Sequence, residues 1–169
     1  SDLSEAVENS RNFDERAAIE FDLAVIAGDL RGIRSRIENY LALEGCEHPS
    51  WLDPLATLFG YAEQLVVRLE SVRHCDPMAP INAFSQARAA FWANDNQQAL
   101  EIATEARNNL SHPWLNVLVT NALLAMGQYE TARSESSLFR TGSFLEQYQR
   151  FVVAAAAGDR DRAKSMQEN

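Results

Sequence analysis

The sequence has little glycine or proline and no long apolar run. Seven glycines and five prolines in 169 residues are fewer than an all-β chain with many tight turns usually contains. No apolar stretch approaches the roughly 20 residues that a membrane-spanning helix needs, and no signal-like segment opens the chain. Apolar residues at 46% and charged residues at 23% are typical of a globular protein. We therefore expect one helical domain over residues 13–169, no membrane insertion, and a frayed segment at 1–12.

Basic residues are also scarce. Lysine and arginine together number 15 against 24 acidic residues, which gives a formal net charge of −9. A nucleic-acid backbone would be repelled by this average field, so no direct nucleic-acid binding is expected. The chain begins with Ser1 and not with methionine, which suggests a processed product or one part of a larger protein.

Only two cysteines are present, Cys46 and Cys75. Two are too few for a disulfide scaffold, and the resulting expectation is a reducing, cytoplasmic location. Together with His48 and His74 they form the one metal-like group of the sequence, but neither pair has the spacing of a zinc site. We expect no metal and no cofactor.

A repeat is visible in the turns. In four places a glycine or asparagine is followed by a polar residue, and an apolar or alanine residue comes five positions after the first. The turn residues are Gly28, Asn94, Gly127 and Gly158, with Ile33, Ala99, Ala132 and Ala163 as the later positions. The steps between turns are 66, 33 and 31 residues, so one further unit is implied near residue 61. Helical periodicity precedes each turn, which predicts antiparallel helix-turn-helix units.

These units resemble the tetratricopeptide repeat family, whose unit of about 34 residues is a helix-turn-helix. The best match within residues 80–132 is Asn121 to Ala132, where Gly127, Tyr129 and Ala132 fall on the family's turn glycine, turn aromatic and packing alanine. The resemblance implies an all-α fold in which the units stack as a right-handed α-solenoid. The Asp76-Pro77 and Pro80 stretch before a predicted helix also resembles tetratricopeptide regions appended to some bacterial regulators.

Helices are predicted at 14–27, 30–43, 51–73, 80–93, 96–110, 113–126, 129–140, 143–157 and 159–167. Ser50 with Asp53 and Ser143 with Glu146 read as capping boxes, and Pro113 suits a first helical turn. Asp159 is explained as a helix start, where carboxylates are favoured.

The stretch 51–73 has two interpretations. Its apolar stripe keeps its phase across Gly60, which favours one continuous helix with the cysteines at opposite ends. The repeat period instead favours a hairpin with a turn near Tyr61, and that would bring Cys46 and Cys75 to the same end. The apolar stripe from Trp51 to Val72 also has heptad spacing. It is therefore either part of the core or a dimerising coiled coil, and in the second case the partner would be a second copy of the chain.

No catalytic motif is recognisable. There is no nucleophile elbow and no glycine-rich phosphate loop, and the three histidines lie in predicted loops without an evident carboxylate partner. The chain is not expected to be an enzyme.

In the tetratricopeptide family the first helix of each unit lines a groove that holds a peptide. Mapped through the turns, the resemblance implies that the groove residues here are Phe84, Arg88, Trp92, Val117, Asn121 and Tyr148. Asn121 occupies a site where family members often present asparagine to a bound backbone. On a helix, Arg88 and Trp92 share one face, so the guanidinium is expected to stack on the indole.

The expected function is a non-catalytic protein–protein interaction module that holds a peptide or protein partner. The alternative is a dimerisation or sensor segment of a larger regulator, such as a transcriptional one. An enzyme with an unrecognised site is the third reading, and no residue pattern favours it.

Overall fold

The computed structural model describes residues 13–110, 112–138 and 144–167, and within these ranges the regular structure is entirely helical. The all-α expectation is confirmed for this part of the chain. The expected fraying of 1–12 and the Ser143–Glu146 cap lie outside the residues whose side chains are described. A short 3-10 turn, Ser50–Leu52, precedes the third helix. The α-helices are α1 Phe13–Ile26, α2 Leu30–Leu41, α3 Asp53–Leu58, α4 Ala62–Cys75, α5 Pro80–Trp92, α6 Asn96–Asn109, α7 Pro113–Ala125, α8 Tyr129–Ser137, α9 Phe144–Ala156 and α10 Arg160–Gln167.

Five equivalent turns join these helices into pairs. Each turn residue has a positive φ between 64° and 87°, a conformation that favours glycine and tolerates asparagine. At each turn two consecutive N–H groups bond back to the preceding helix, as with Gly127 to the Leu124 carbonyl at 3.0 Å and Gln128 to the Leu123 carbonyl at 2.9 Å. The turn residues are Gly28, Gly60, Asn94, Gly127 and Gly158, at steps of 32, 34, 33 and 31 residues. The unit predicted near residue 61 is therefore confirmed.

The prediction of one continuous helix over 51–73 is wrong. Helix α3 ends at Leu58, Gly60 turns the chain at φ 87°, and α4 begins at Ala62. The apolar phase survives the turn because both helices bury their stripes in one core, where Ala56 and Leu65 are fully enclosed. The coiled-coil interpretation of this stretch fails with the continuous helix, and the core interpretation holds for its buried members.

The hairpin brings the two cysteines together as a disulfide. Cys46 precedes the hairpin and Cys75 ends it, and their Cα atoms are 5.7 Å apart. This pairing replaces the separation at opposite ends that the continuous helix required. In the described part of the chain, no group of three or more histidine, cysteine, aspartate or glutamate side chains is placed to hold a metal ion.

Local capping chemistry explains where several helices begin. Asp29, Asp95 and Asp159 each follow a turn residue, and each carboxylate accepts a hydrogen bond from the backbone N–H three residues later, at 2.9, 2.9 and 3.2 Å. Asp159 is thus a helix start, as predicted. Pro80 and Pro113 occupy first helical turns, where the missing N–H costs nothing.

Helices pack against their neighbours in the chain, and the first helices of successive pairs also contact one another. These contacts join α3 to α5, α5 to α7 and α7 to α9. Alanines allow the close approach: Ala99 and Ala132, each five residues after a turn residue, are completely buried. From α3 to α9 the result is a row of helical hairpins in which first helices lie beside first helices. None of the described helices combines the length and apolarity needed to cross a membrane.

Candidate protein-binding face

The first helices of the five pairs, α1, α3, α5, α7 and α9, expose few charged side chains among those that the structure describes. Asp22 is the one charged residue of this described set in the exposed class. Large apolar or aromatic side chains are exposed instead, namely Val25, Ile26, Leu58, Ile81, Trp92, Trp114 and Tyr148. The second helices differ, because each exposes charged residues, such as Arg31, Glu63, Glu101, Glu130 and Asp161. In the described part of the chain, the first helices therefore expose fewer charged side chains than the second helices do.

The six residues predicted for the groove all lie on first helices. Trp92 and Tyr148 are about half exposed, whereas Phe84, Arg88 and Asn121 are partly buried. Val117 is buried in α7 and offers little surface to a ligand. The structure thus leaves two of the six well exposed, three partly buried and one buried.

An aromatic group lies where α5 meets the start of α7. The ring of Phe84 is 5.5 Å from that of His112 and 6.3 Å from that of Trp114, measured between centroids. The Arg88 guanidinium lies 5.1 Å from the centre of the Phe84 ring, so the residue on which it stacks is Phe84 and not, as expected, Trp92. Trp114 was not among the residues predicted for the groove. The available signal was its register, since Trp114 and Ile81 both stand thirteen residues before a turn residue.

A pair of amides links α7 to α9. Gln149, which is completely buried, donates from its Nε2 to the Oδ1 of Asn121 across a long 3.5 Å contact. The other polar atom of that side chain, Gln149 Oε1, is buried and has no hydrogen-bond partner. Asn121 therefore has its oxygen turned toward the neighbouring unit.

Behind Arg88 lies a buried polar network centred on Asp53. The Tyr40 hydroxyl donates to Asp53 Oδ1 at 3.0 Å, and His48 Nε2 is 3.0 Å from Asp53 Oδ2. Arg88 approaches the same Oδ2 at 3.8 Å. Asp53 is fully buried, so its charge requires these partners. The predicted Ser50–Asp53 capping box is wrong, because this carboxylate serves Tyr40 and His48 instead.

His48 has a hydrogen-bond partner at each of its ring nitrogens. Its Nδ1 lies 2.9 Å from Asn82 Oδ1, and Asn82 is held in that orientation because its Nδ2 donates to the Asp76 carbonyl at 3.3 Å. Both ring nitrogens therefore face acceptors, an arrangement that only the doubly protonated imidazolium satisfies. The expectation that the histidines lack carboxylate partners is wrong for His48.

The pKa values of this network follow from burial and from Asp53. Burial alone lowers the pKa of His48, as does the charge of Arg68. The hydrogen bond and charge of Asp53, with the hydrogen bond to Asn82, outweigh both and raise the pKa above 6.5. Burial, assisted by the charge of Asp53, raises the pKa of the Tyr40 phenol well above its ordinary range.

The loop before α3 is tied to the same network. Arg68, buried in α4, donates to the carbonyls of Gly45 and Glu47, the residues on either side of Cys46. The disulfide, the loop that carries His48, and the Asp53 carboxylate behind Arg88 thus form one connected structure.

Comparison with known proteins gives no relative: no protein family, curated protein or solved structure matches the chain.

Proposed function

We propose that this chain is a non-catalytic interaction module of the tetratricopeptide type, which holds a peptide or protein partner on its first-helix face. The observation that carries the proposal is the chemistry of that face, where the described side chains include seven exposed large apolar or aromatic residues and one exposed charged residue, Asp22. Single exposed apolar residues are ordinary, but a surface on which they recur with few exposed charges is typical of a binding site. Helical hairpins at steps of 31–34 residues support the comparison with tetratricopeptide repeats.

Aromatic anchors and an amide give this face the means to hold a polypeptide. Trp92 and Tyr148 offer large rigid contact areas, and tryptophan and tyrosine are frequent binding anchors. Asn121 can pair with a peptide backbone whatever the ligand's side chains are. Arg88 has a different role, because it compensates the buried Asp53 and covers Phe84.

A test can use peptides selected from a random library displayed on phage, with binding measured by isothermal titration calorimetry. We expect Trp92→Ala and Asn121→Ala each to weaken the selected peptides by about tenfold or more, equivalent to about 1.4 kcal/mol. Val67→Ala is the control, since Val67 is an exposed apolar residue of the second helix α4. Wild-type affinity in a folded Trp92→Ala, Asn121→Ala double variant would exclude this face.

Arg88→Ala is unsuitable for the same purpose. Its removal leaves the fully buried Asp53 carboxylate with less compensating charge, so any loss of binding would be confounded with a loss of stability.

A further inference from the structure

One position of the repeat unit is apolar and exposed in three consecutive units. It lies two residues before the turn residue, at the end of a first helix. Ile26, Leu58 and Trp92 occupy it in the first three units, with 73%, 67% and 56% of their surface exposed. The fourth and fifth units have the smaller Ala125 and Ala156 there, both exposed. We call Ile26, Leu58 and Trp92 the turn-edge row.

Carboxylates accompany this row on the other side of each turn. Asp29, Glu63 and Asp95 are all exposed, and each follows its turn residue by one or three positions. Helix capping accounts for Asp29 and Asp95, yet their charges still act on whatever approaches the row. Arg31 is the one exposed base among the three residues that follow each of these three turns. An apolar strip bordered by negative charge is therefore presented to solvent.

The distance between neighbouring side chains of the row indicates whether its ligand is helical or extended. Leu58 and Trp92 end the contacting helices α3 and α5, and packed helices lie roughly 8–10 Å apart. On a partner helix, side chains seven residues apart share one face and are separated by about 10.5 Å. In an extended chain that distance corresponds to about three residues, whose side chains point to opposite faces. A helical ligand thus fits Leu58 and Trp92 better than an extended one does.

We propose that the turn-edge row docks a basic amphipathic helix of a partner protein. Its apolar stripe covers Ile26, Leu58 and Trp92, and its lysines or arginines face Asp29, Glu63 and Asp95. This inference rests on the proposed function and narrows the partner to a chemical class.

The probe is a synthetic amphipathic leucine–lysine peptide of about 18 residues, long enough for five helical turns. Leu58→Ser is compared with Val67→Ser, because both residues are 67% exposed but Val67 lies on a second helix. We expect Leu58→Ser to weaken calorimetric binding by about tenfold or more and Val67→Ser to leave it unchanged. Equal affinities for the two variants would overturn the proposal, as would absence of binding to the wild type.

The charge complementarity in this proposal is tested with a matched pair of double variants. Asn caps helices as well as Asp does, so Asp29→Asn with Asp95→Asn removes two charges while keeping both caps. We expect this variant to bind the peptide several-fold more weakly and with a shallower salt dependence, unlike Glu70→Gln with Glu101→Gln on the second helices. Identical behaviour of the two double variants would overturn the charge complementarity.

Two further outcomes separate this inference from the proposed function. If Trp114→Ser abolishes binding of the peptide and Leu58→Ser does not, the first-helix face remains the proposed binding site and the turn-edge row is excluded. A concentration-dependent dimer in analytical ultracentrifugation that disappears in Leu58→Ser would instead assign the row to a second copy of the chain.

Discussion

Asp53 is the residue whose environment is most demanding, because a fully buried carboxylate must recover in the protein the solvation it loses from water. Tyr40 and His48 supply hydrogen bonds and Arg88 supplies charge. These partners come from three separate parts of the chain. A sequence pattern does not reveal such a group, and only the His48–Asp53 spacing of five residues was a local signal.

Two tyrosines allow the contribution of burial to the strength of a hydrogen bond with a carboxylate to be measured. Both donate to a carboxylate, Tyr40 to buried Asp53 at 3.0 Å and Tyr61 to exposed Glu38 at 2.6 Å. We expect Tyr40→Phe to lower the free energy of unfolding by about 1.5–3 kcal/mol, as for other hydrogen bonds to charged groups. Tyr61→Phe should cost much less, because water replaces its hydroxyl. Urea denaturation of both variants measures the difference, and equal costs would contradict the assigned burial.

His48 should make stability depend on pH. Its pKa is raised in the folded protein, so its contribution is fully present below the unfolded value of 6.5 and is lost as the pH rises through the folded value. The free energy of unfolding is therefore expected to fall over that interval above 6.5. Urea denaturation at pH 6 and at higher pH should show the fall in wild type and a smaller one in His48→Gln. An unchanged pH profile in the variant would mean that His48 is not charged.

At the scale of elements, the five turns determine how the chain is divided into helices. Four were recognisable from sequence because glycine or asparagine is followed by a polar residue at a regular step. The turn at Gly60 was implied by the repeat step, but the continuous helix was preferred, since an apolar stripe that continues in phase is compatible with one helix or with two that share a core. Away from it, the described helices α5, α6 and α7 begin at the predicted residues and end one residue early.

Gly127 tests the conformational requirement of these turns. Its φ is 73°, and a Cβ added there meets no atom within 4 Å, so a substitution changes backbone strain without a clash. We expect Gly127→Ala to lower the free energy of unfolding by about 1–2 kcal/mol. Gly127→Asn should cost less, because Asn94 occupies the equivalent turn at φ 64°. Thermal and urea denaturation compare the two, and equal losses would argue against a strain of this origin.

For the whole molecule, the Cys46–Cys75 disulfide is a covalent constraint on the chain. It closes a loop between residues 29 positions apart, for which loop entropy corresponds to about 3.5 kcal/mol of stabilisation. Cys46→Ser with Cys75→Ser is expected to lower the free energy of unfolding by about that amount, and a reductant should do the same to wild type alone. Denaturation with and without reductant measures it. A reductant effect of equal size in the double variant would show that it does not act through this bond.

The disulfide also changes the expected environment of the protein. The number of cysteines favoured a reducing location, whereas a formed pair is typical of oxidising compartments. The difference arose because the pairing depends on the hairpin, which the sequence left open between two readings. The first-helix face could likewise be predicted only in part. The repeat register selected Trp92 and Tyr148. The contrast between the few exposed charges of the described first helices and the charged second helices became visible only once the burial of each side chain was known.

Mechanical force would distinguish the oxidised unit from the others. In a row of repeats, each unit is stabilised chiefly by contacts with its neighbours. Tension applied to the two ends of the chain therefore unfolds the chain in steps. The 29-residue separation between Cys46 and Cys75 corresponds to about 100 Å of contour length at full extension. While the bond is intact that length cannot be drawn out, and the hairpin α3–α4 acts as an inextensible link between α1–α2 and the units that follow.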